Sequence, residues 1–334
     1  VDALTNRAIS FIALEQYAEA LASCDRALAI KYDHVKALVY KGNALGKLQR
    51  HEDALASYDE ALGHSPEELE ALNSRVIALL ELDRLDEALA AAEWAVVLAP
   101  TSAAAHSSRA QAFQALAKYE EAILDYEKAL SLNPNANIAK WNAMTCYLWL
   151  GQFAEGWRLY SSELENEVRK LQPVEYSQPQ WDGCNLSGTL LLWGNHGLGD
   201  QLLNGSVIPD VARLADKVVV EMEPRLVPLF RRSFPEVSFV GLSSTPSIER
   251  IDAQASLSSL PRYLRQNWEA FPKRDQGYLV PDADSVKRLR ERLAGDRHRV
   301  IGLGWISRNA EVGKYKSAQL RDFEPLLRMP GYRF

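Results

Sequence analysis

The sequence predicts two architectures in series, an α-helical solenoid of five repeats and then an α/β unit built on a parallel sheet. Three observations carry this. Small and bulky residues recur every 34 positions through residues 1–170. From residue 189 the apolar residues stop following a helical period and gather in short continuous runs bounded by turn residues. Between the two, Pro173, Pro179, Gly183 and Gly188 interrupt any helical pattern, which marks 171–188 as a connector.

The first five elements are helix pairs. One alanine recurs as Ala27, Ala61, Ala95 and Ala129, and a second small position gives Ala20, Ala54, Ala88, Ala122 and Gly156. A bulky row reads Phe11, Leu45, Leu79, Phe113 and Tyr147, and a closing proline gives Pro66, Pro100 and Pro134. This period, with small residues where two helices cross, resembles the tetratricopeptide repeat (TPR). No single helix pair can bury its apolar stripe alone, so neighbours stack and share one continuous core. Tyr58, Tyr126 and Tyr160 are expected to fill the space beside the alanines. The chain opens at Val1 in phase with the repeat and without a polar cap, so a trimmed start is expected.

Three rows of the first helices are expected to line the concave face. They read Thr5, Val39, Asn73, Ser107 and Trp141, then Asn6, Tyr40, Ser74, Ser108 and Asn142, then Ile9, Asn43, Ile77, Gln111 and Thr145. The Lys and Arg residues with which chaperone-tail-binding members of the repeat family clamp a carboxylate are missing from these rows. Amides at Asn6, Asn43, Asn73 and Asn142 suit an extended peptide backbone, as in the asparagine ladder of O-linked N-acetylglucosamine transferase. Two readings stand side by side: a groove for a protein or peptide partner, and a merely solvated polar face.

Charge narrows the function. Residues 1–170 hold 16 Lys and Arg against 25 Asp and Glu, and the remainder 22 against 19. An acidic solenoid on a near-neutral second unit argues against nucleic acid, which needs a basic stripe. Cys24, Cys146 and Cys184 lack metal-ligand spacing, and Cys24 falls on a repeat core position. With no secretory or membrane-spanning run, a cytoplasmic location is expected.

The fifth repeat departs from the pattern. Trp141, Trp149 and Trp157 crowd into it and Glu163 replaces the alanine, as if the next domain covered its end. The stretch Gly151-Gln152-Phe153-Ala154-Glu155-Gly156-Trp157 resembles the last repeat of bacterial proteins whose arrays run into a glycosyltransferase domain. In the connector, Gln180-Trp181-Asp182-Gly183 reads as a turn with Trp181 packed on a domain.

Residues 189–295 then read as a Rossmann-like α/β domain with helices on both faces of its sheet. Thr189-Leu190-Leu191-Leu192-Trp193 is a buried parallel strand, followed by a glycine-bearing turn and a helix over 200–215. Strands follow at 218–220 and 237–240, with a helix over 224–234 between them. A helix over 285–294 precedes residues 296–334, which hold a strand at 300–305, a helix over 318–328 and a new strand beginning at Tyr332. That is the first βα unit of a second Rossmann-like domain, so a C-terminal truncation is expected.

The turn Gly194-Asn195-His196-Gly197-Leu198-Gly199-Asp200 lies where α/β sheets bind ligands, beyond the carboxyl end of a strand. It is neither a dinucleotide fingerprint nor a phosphate loop. Gly197-Leu198-Gly199-Asp200, with Pro209 following, resembles lipopolysaccharide heptosyltransferase-like glycosyltransferases. Met222-Glu223-Pro224-Arg225-Leu226, Pro228-Leu229-Phe230, Ser259-Leu260-Pro261-Arg262 and Gly302-Leu303-Gly304-Trp305 resemble the variant fused to TPR arrays. The resemblance implies a GT-B fold, inverting transfer from a nucleotide-sugar without metal or other cofactor, and Asp200 as base. His196 is a rival base, and Asn195, Gly197 and Gly199 belong to the acceptor-site loop. The leaving nucleoside diphosphate needs fixed cations, which Arg308, Lys314 and Lys316 supply, with Ser317 opening the next helix. Asp200 also suits a helix cap. The sequence departs from the relatives at Asn195 and His196, where Glu-Gln is common. Two functions follow. One is a glycosyltransferase whose repeats recruit a protein or glycan acceptor, such as a surface or flagellar protein, inactive when the chain ends here. The other is a non-catalytic interaction scaffold with a degenerate transferase domain.

Overall fold

The computed structural model describes residues 1–161, 164, 176–194, 197–242, 250–273, 277–293, 299–303 and 318–333. Ten helices come first: α1 (Asp2–Ala13), α2 (Tyr17–Ile30), α3 (Val35–Lys47), α4 (His51–His64), α5 (Leu69–Glu81), α6 (Leu85–Leu98), α7 (Ala103–Ala115), α8 (Tyr119–Leu132), α9 (Asn137–Trp149) and α10 (Phe153–Leu159). They pack as five antiparallel pairs, each against the next. Ala20, Ala27, Ala54, Ala61, Ala88, Ala95, Ala122 and Ala129 are all fully buried, which lets the helices approach closely. At Gly42 the approach is closest, since a Cβ there would sit 2.4 Å from the buried ring of Tyr58.

One turn conformation is repeated five times within the pairs. Glu15, Gln49, Asp83 and Ala117 adopt φ of 59°, 63°, 58° and 57°, and Gly151 follows at 74°. The residue after each donates its N–H back to the carbonyl of Phe11, Leu45, Leu79, Phe113 or Tyr147. This closes the first helix of each pair with a left-handed cap. The bulky row therefore has two tasks, filling the core and accepting the capping bond.

A second period is electrostatic. Arg7, Lys41, Arg75 and Arg109 stand 34 residues apart on the first helices. Lys41 meets Asp25 at 2.9 Å and Arg75 meets Asp59 at 2.6 Å, each reaching back one repeat. The fourth rung switches partner: Arg109 grips both oxygens of Asp125 within its own pair, at 2.6 and 2.7 Å. Asp125 is buried and also meets His106 Nδ1 at 2.9 Å.

The second unit is a four-stranded, wholly parallel sheet of β1 (Leu186–Trp193), β2 (Ala215–Met222), β3 (Ser238–Gly241) and β4 (Ala253–Ser256), in the order β3-β2-β1-β4. β1 begins three residues before the expected strand. The helix expected over 200–215 is two helices, α11 (Leu198–Gly205) and α12 (Ile208–Val211). The break falls at Gly205, where a Cβ would meet the Phe230 ring at 2.5 Å, and Pro209 opens the second helix. α13 (Val227–Ser233) follows β2, and α14 (Leu260–Leu264) follows β4.

These four helices share one buried cluster with Leu190, Leu192, Val218, Val220, Phe239 and Ala255. Helices were expected on both faces of the sheet, and these four cover one of them. On the other face Leu191, Trp193, Val219 and Glu221 are buried too, and Tyr176 lies against Trp193. Trp181 is buried in the helix-side cluster, as the connector reading required, with its indole N–H on the Cys184 carbonyl at 2.8 Å. Beyond α15 (Ala283–Leu293), β5 (Arg299–Val300) and β6 (Tyr332–Arg333) pair in parallel, with the short α16 (Glu324–Leu327) between them. Strands were expected at 300–305 and from Tyr332, and the two short strands that form there pair with each other in a small second sheet.

Candidate functional site

The concave face of the solenoid carries two cavities. The first, about 320 Å³, lies among repeats one to three. Ile12, Gly46, Ile77 and Ala78 give it apolar walls, and the buried Tyr58 lies at its bottom. The Tyr58 hydroxyl donates to Asn43 Oδ1 at 2.8 Å and also bonds Ser74; burial pushes the phenol well above its ordinary pKa. With its oxygen held this way, the Asn43 amide has its N–H donors left for the groove. Lys47 and Glu81 stand exposed at the rim. His51 lines the wall, its buried Nε2 lacking a hydrogen bond among the described residues and lying 3.9 Å from a Glu81 carboxylate oxygen.

The second cavity, about 420 Å³, is lined by Leu80, Gln111, Gln114, Tyr119, Asn142 and Trp149. Tyr126 orders its amides in the same manner, donating to Gln114 Oε1 at 2.7 Å and bonding Asn142. Trp149 is 73% exposed and stacks almost parallel on Tyr119, with ring centres 6.2 Å apart. Each cavity therefore combines an apolar wall with amides whose orientation a buried tyrosine fixes.

Of the four asparagines expected to bind peptide, the structure brings Asn43 and Asn142 to these cavities. Asn73 is half-buried, its Oδ1 without a hydrogen-bond partner among the described residues, and Asn6 is exposed at the solenoid's start. The first expected row does not face the groove throughout, because Thr5 and Val39 are only 2% and 1% exposed. Instead, the groove continues along two rows one turn further on. These are Ile12, Gly46, Leu80 and Gln114, and Lys47, Glu81, Ala115 and Trp149. The signal for them was present in the same 34-residue phase.

At the sheet's carboxyl edge, α11 starts after Gly197, and Asp200 is its third residue, half-buried. Asp200 Oδ2 lies 3.9 Å from where a Gly197 Cβ would be, so the carboxylate turns back over the helix start. Gly199 is exposed. Gln201, absent from the sequence reading, fixes this edge: its buried amide donates to the Gly194 carbonyl at 3.4 Å and accepts the Glu223 N–H at 2.9 Å. Glu221, also missed, is a carboxylate 8% exposed at the end of β2, accepting the Tyr176 hydroxyl. Asn195, His196, Arg308, Lys314, Lys316 and Ser317 lie outside the described residues. Among the described residues no His, Cys, Asp and Glu cluster has the arrangement of a metal site, and no helix is long and apolar enough to cross a membrane.

The groove and the sheet belong to one packed body. Trp157 Nε1 donates to the Arg265 carbonyl at 3.0 Å, and the Tyr160 hydroxyl meets Ser258 at 3.3 Å. Phe153 packs against Trp268 and Phe271, with ring centres 5.0 Å away in both cases. Arg265 is itself buried and paired with Asp210 at 2.5 Å. Of the three tryptophans expected under the next domain, Trp157 is there, while Trp149 faces the groove.

The geometry defines a helix-pair solenoid with a ligand-sized concave face, and its repeats are tetratricopeptide repeats. TPR models match residues 5–69, 40–103 and 103–136. Protein FlbA of Caulobacter vibrioides is 30% identical over 213 residues, covering 57% of this chain and 35% of FlbA. This chain thus spans about a third of that relative's length. Among solved structures, a thermophilic TPR protein of Thermus thermophilus is similar at 22% identity and a TM-score of 0.47, covering 50% of this chain and 95% of its own. MamA from Desulfovibrio magneticus aligns at 19% identity and a TM-score of 0.42, covering 52% and 97%. YrrB, described as a TPR protein with an unusual peptide-binding site, aligns at 19% and 0.39, covering 50% and 91%.

Proposed function

We propose that the protein is an interaction scaffold whose concave face holds an extended segment of a protein partner and presents it beside the α/β unit. The observation that carries this is the pair of cavities in one groove, each with tyrosine-ordered amides next to an apolar wall. Amide donors can take the carbonyls of an extended backbone, while the walls accept side chains. The rigid junction through Phe153, Trp157 and Tyr160 fixes the partner's position relative to the sheet. A displayed random-peptide library selected on the intact protein tests the reading. Binders should be lost with Trp149→Ala or Ile77→Asp. Binders indifferent to both variants would place recognition elsewhere and end this reading.

A second reading, sugar transfer from a nucleotide-sugar to the recruited protein or glycan, draws support from one feature. β1 of the parallel sheet ends at Trp193, and α11 begins at Leu198 beyond that carboxyl end, with Asp200 in its first turn. Asp200 would take the acceptor hydroxyl's proton while Arg308, Lys314 and Lys316, with Ser317, hold the diphosphate. Turnover of a panel of nucleotide-sugars by the longest natural form of the protein decides it. Release of one nucleotide that Asp200→Asn abolishes supports transfer; turnover persisting in Asp200→Asn removes the assigned base, and silence across the panel leaves the scaffold alone.

A further inference from the structure

We infer that the cavity beside Gly46 is a specificity pocket for a neutral aromatic side chain with a hydroxyl end, a tyrosine of the bound partner; this rests on the groove reading above.

The argument begins with a glycine that the fold does not need. Gly46 lies in the last turn of α3 with ordinary helical φ, and a Cβ there would meet nothing within 4 Å. A helical glycine without a steric reason weakens its helix. Its counterparts at 34-residue spacing are Ile12, Leu80, Gln114 and Leu148, all large. Gly42, one turn earlier, has a reason in the Tyr58 ring, and Gly46 has none except the space it leaves. That space is the 320 Å³ cavity.

The lining then selects the occupant. Ile12 and Ile77 form opposite apolar walls, suited to a ring or a branched chain. The bottom is polar: the Asn43 amide offers donors, and the Tyr58 and Ser74 hydroxyls offer acceptors. A purely aliphatic side chain would cover the remaining Asn43 N–H donors without offering an acceptor, at the usual penalty for unmet hydrogen bonds. A phenol satisfies both a donor and an acceptor while its ring contacts the walls. Lys47 and Glu81 at the rim carry opposite charges, so the mouth favours a neutral side chain over an acidic or basic one.

Ligand-observed NMR with N-acetyl-L-tyrosinamide, against the leucine, lysine and glutamate amides, tests the pocket on the intact protein. Saturation transfer is expected to the tyrosine amide above the others, weakened about tenfold or more in Gly46→Leu. Gly46→Leu should leave the melting temperature unchanged or raised, so lost binding will not reflect unfolding. Gly63→Ala, a control at another open helical glycine, should bind as the parent does. Equal transfer to all four probes, or tyrosine binding undiminished by Gly46→Leu, overturns the pocket. Library-selected peptides separate this failure from that of the groove. Peptides insensitive to Gly46→Leu but lost with Trp149→Ala leave the groove standing and the pocket refuted. A library yielding no groove-dependent binder overturns both.

Discussion

The four inner turns of the solenoid and the fifth share one backbone conformation and differ in what determines their residue. Glu15, Gln49, Asp83 and Ala117 hold positive φ without being glycine, a conformation that disfavours a Cβ by about 1–2 kcal/mol. Helix closure is common to all four, and the array tolerates the strain. At Gly151 the same φ recurs, but a Cβ would meet Trp268 Nε1 at 2.6 Å. The glycine is set by the neighbouring domain, not by the turn. The same contrast separates Gly46 from Ile12 and Leu80, and Asp125 from the acids of the earlier rungs. In this array a position that breaks the period marks a constraint that the repeat pattern alone does not supply.

The largest expected effect tests the ladder. Asp125→Ala leaves the half-buried Arg109 and the buried His106 facing no carboxylate, so stability should fall by about 3–5 kcal/mol. Asp59→Ala removes the exposed partner of Arg75 and should cost no more than about 1 kcal/mol. Chemical denaturation of both variants measures the difference, and equal losses would show that the switched rung is no different from its neighbours.

Gly151→Ala comes next. The added Cβ displaces Trp268 and loosens its edge-on contact with Phe153, at about 1–3 kcal/mol. Because the damage is at the junction, the expected signature is faster proteolysis between the solenoid and the sheet, with the solenoid's helicity retained. Loss of the whole solenoid's helicity would refute a junction-specific role.

High pH should sharpen the contrast between core and connector. Burial raises the Cys24 and Cys146 thiols to about 11 each, whereas Cys184 is exposed. Unfolded thiols lose their protons near their ordinary value, so between that value and about 11 the native state binds more protons than the unfolded one. Stability contributed by the two buried thiols is therefore complete below pH about 8.5 and declines as pH rises through that window. Thiol titration at neutral pH should modify Cys184 rapidly and the other two only on unfolding. Three equally fast thiols would contradict the packing of both repeat cores.

The helix pairs were legible because their period repeats five times, so each core position is read several times over. The turn conformation was not, since Glu, Gln, Asp and Ala give no glycine signal for positive φ. β4 escaped because Ala253-Gln254-Ala255-Ser256 lacks an apolar run; its neighbours bury it through Leu190 and Leu192. The helix over 200–215 was drawn too long because the need for Gly205 comes from Phe230, which is remote in sequence. In the groove, Asn43 and Asn142 could be named from one row, while Gly46 and Trp149 required knowing that the concave surface extends another turn. Glu221 and Gln201 carried no motif at all; only burial at the sheet edge singles them out.

The smallest effect bears most directly on the opening contrast. Ala117→Gly keeps the turn, removes a Cβ from a left-handed residue and adds backbone freedom to the unfolded chain. The relief of strain outweighs the entropy, and the variant should gain about 0.5–1 kcal/mol, raising the melting temperature modestly. Neither substitution removes an atom of the Tyr119 and Trp149 stack that lies between the two turns, so the gain should add to the loss in Gly151→Ala to within about 0.5 kcal/mol. If the double variant departs from additivity, the turns communicate along the shared core, and the fifth turn cannot be treated as a site whose identity the sheet alone decides.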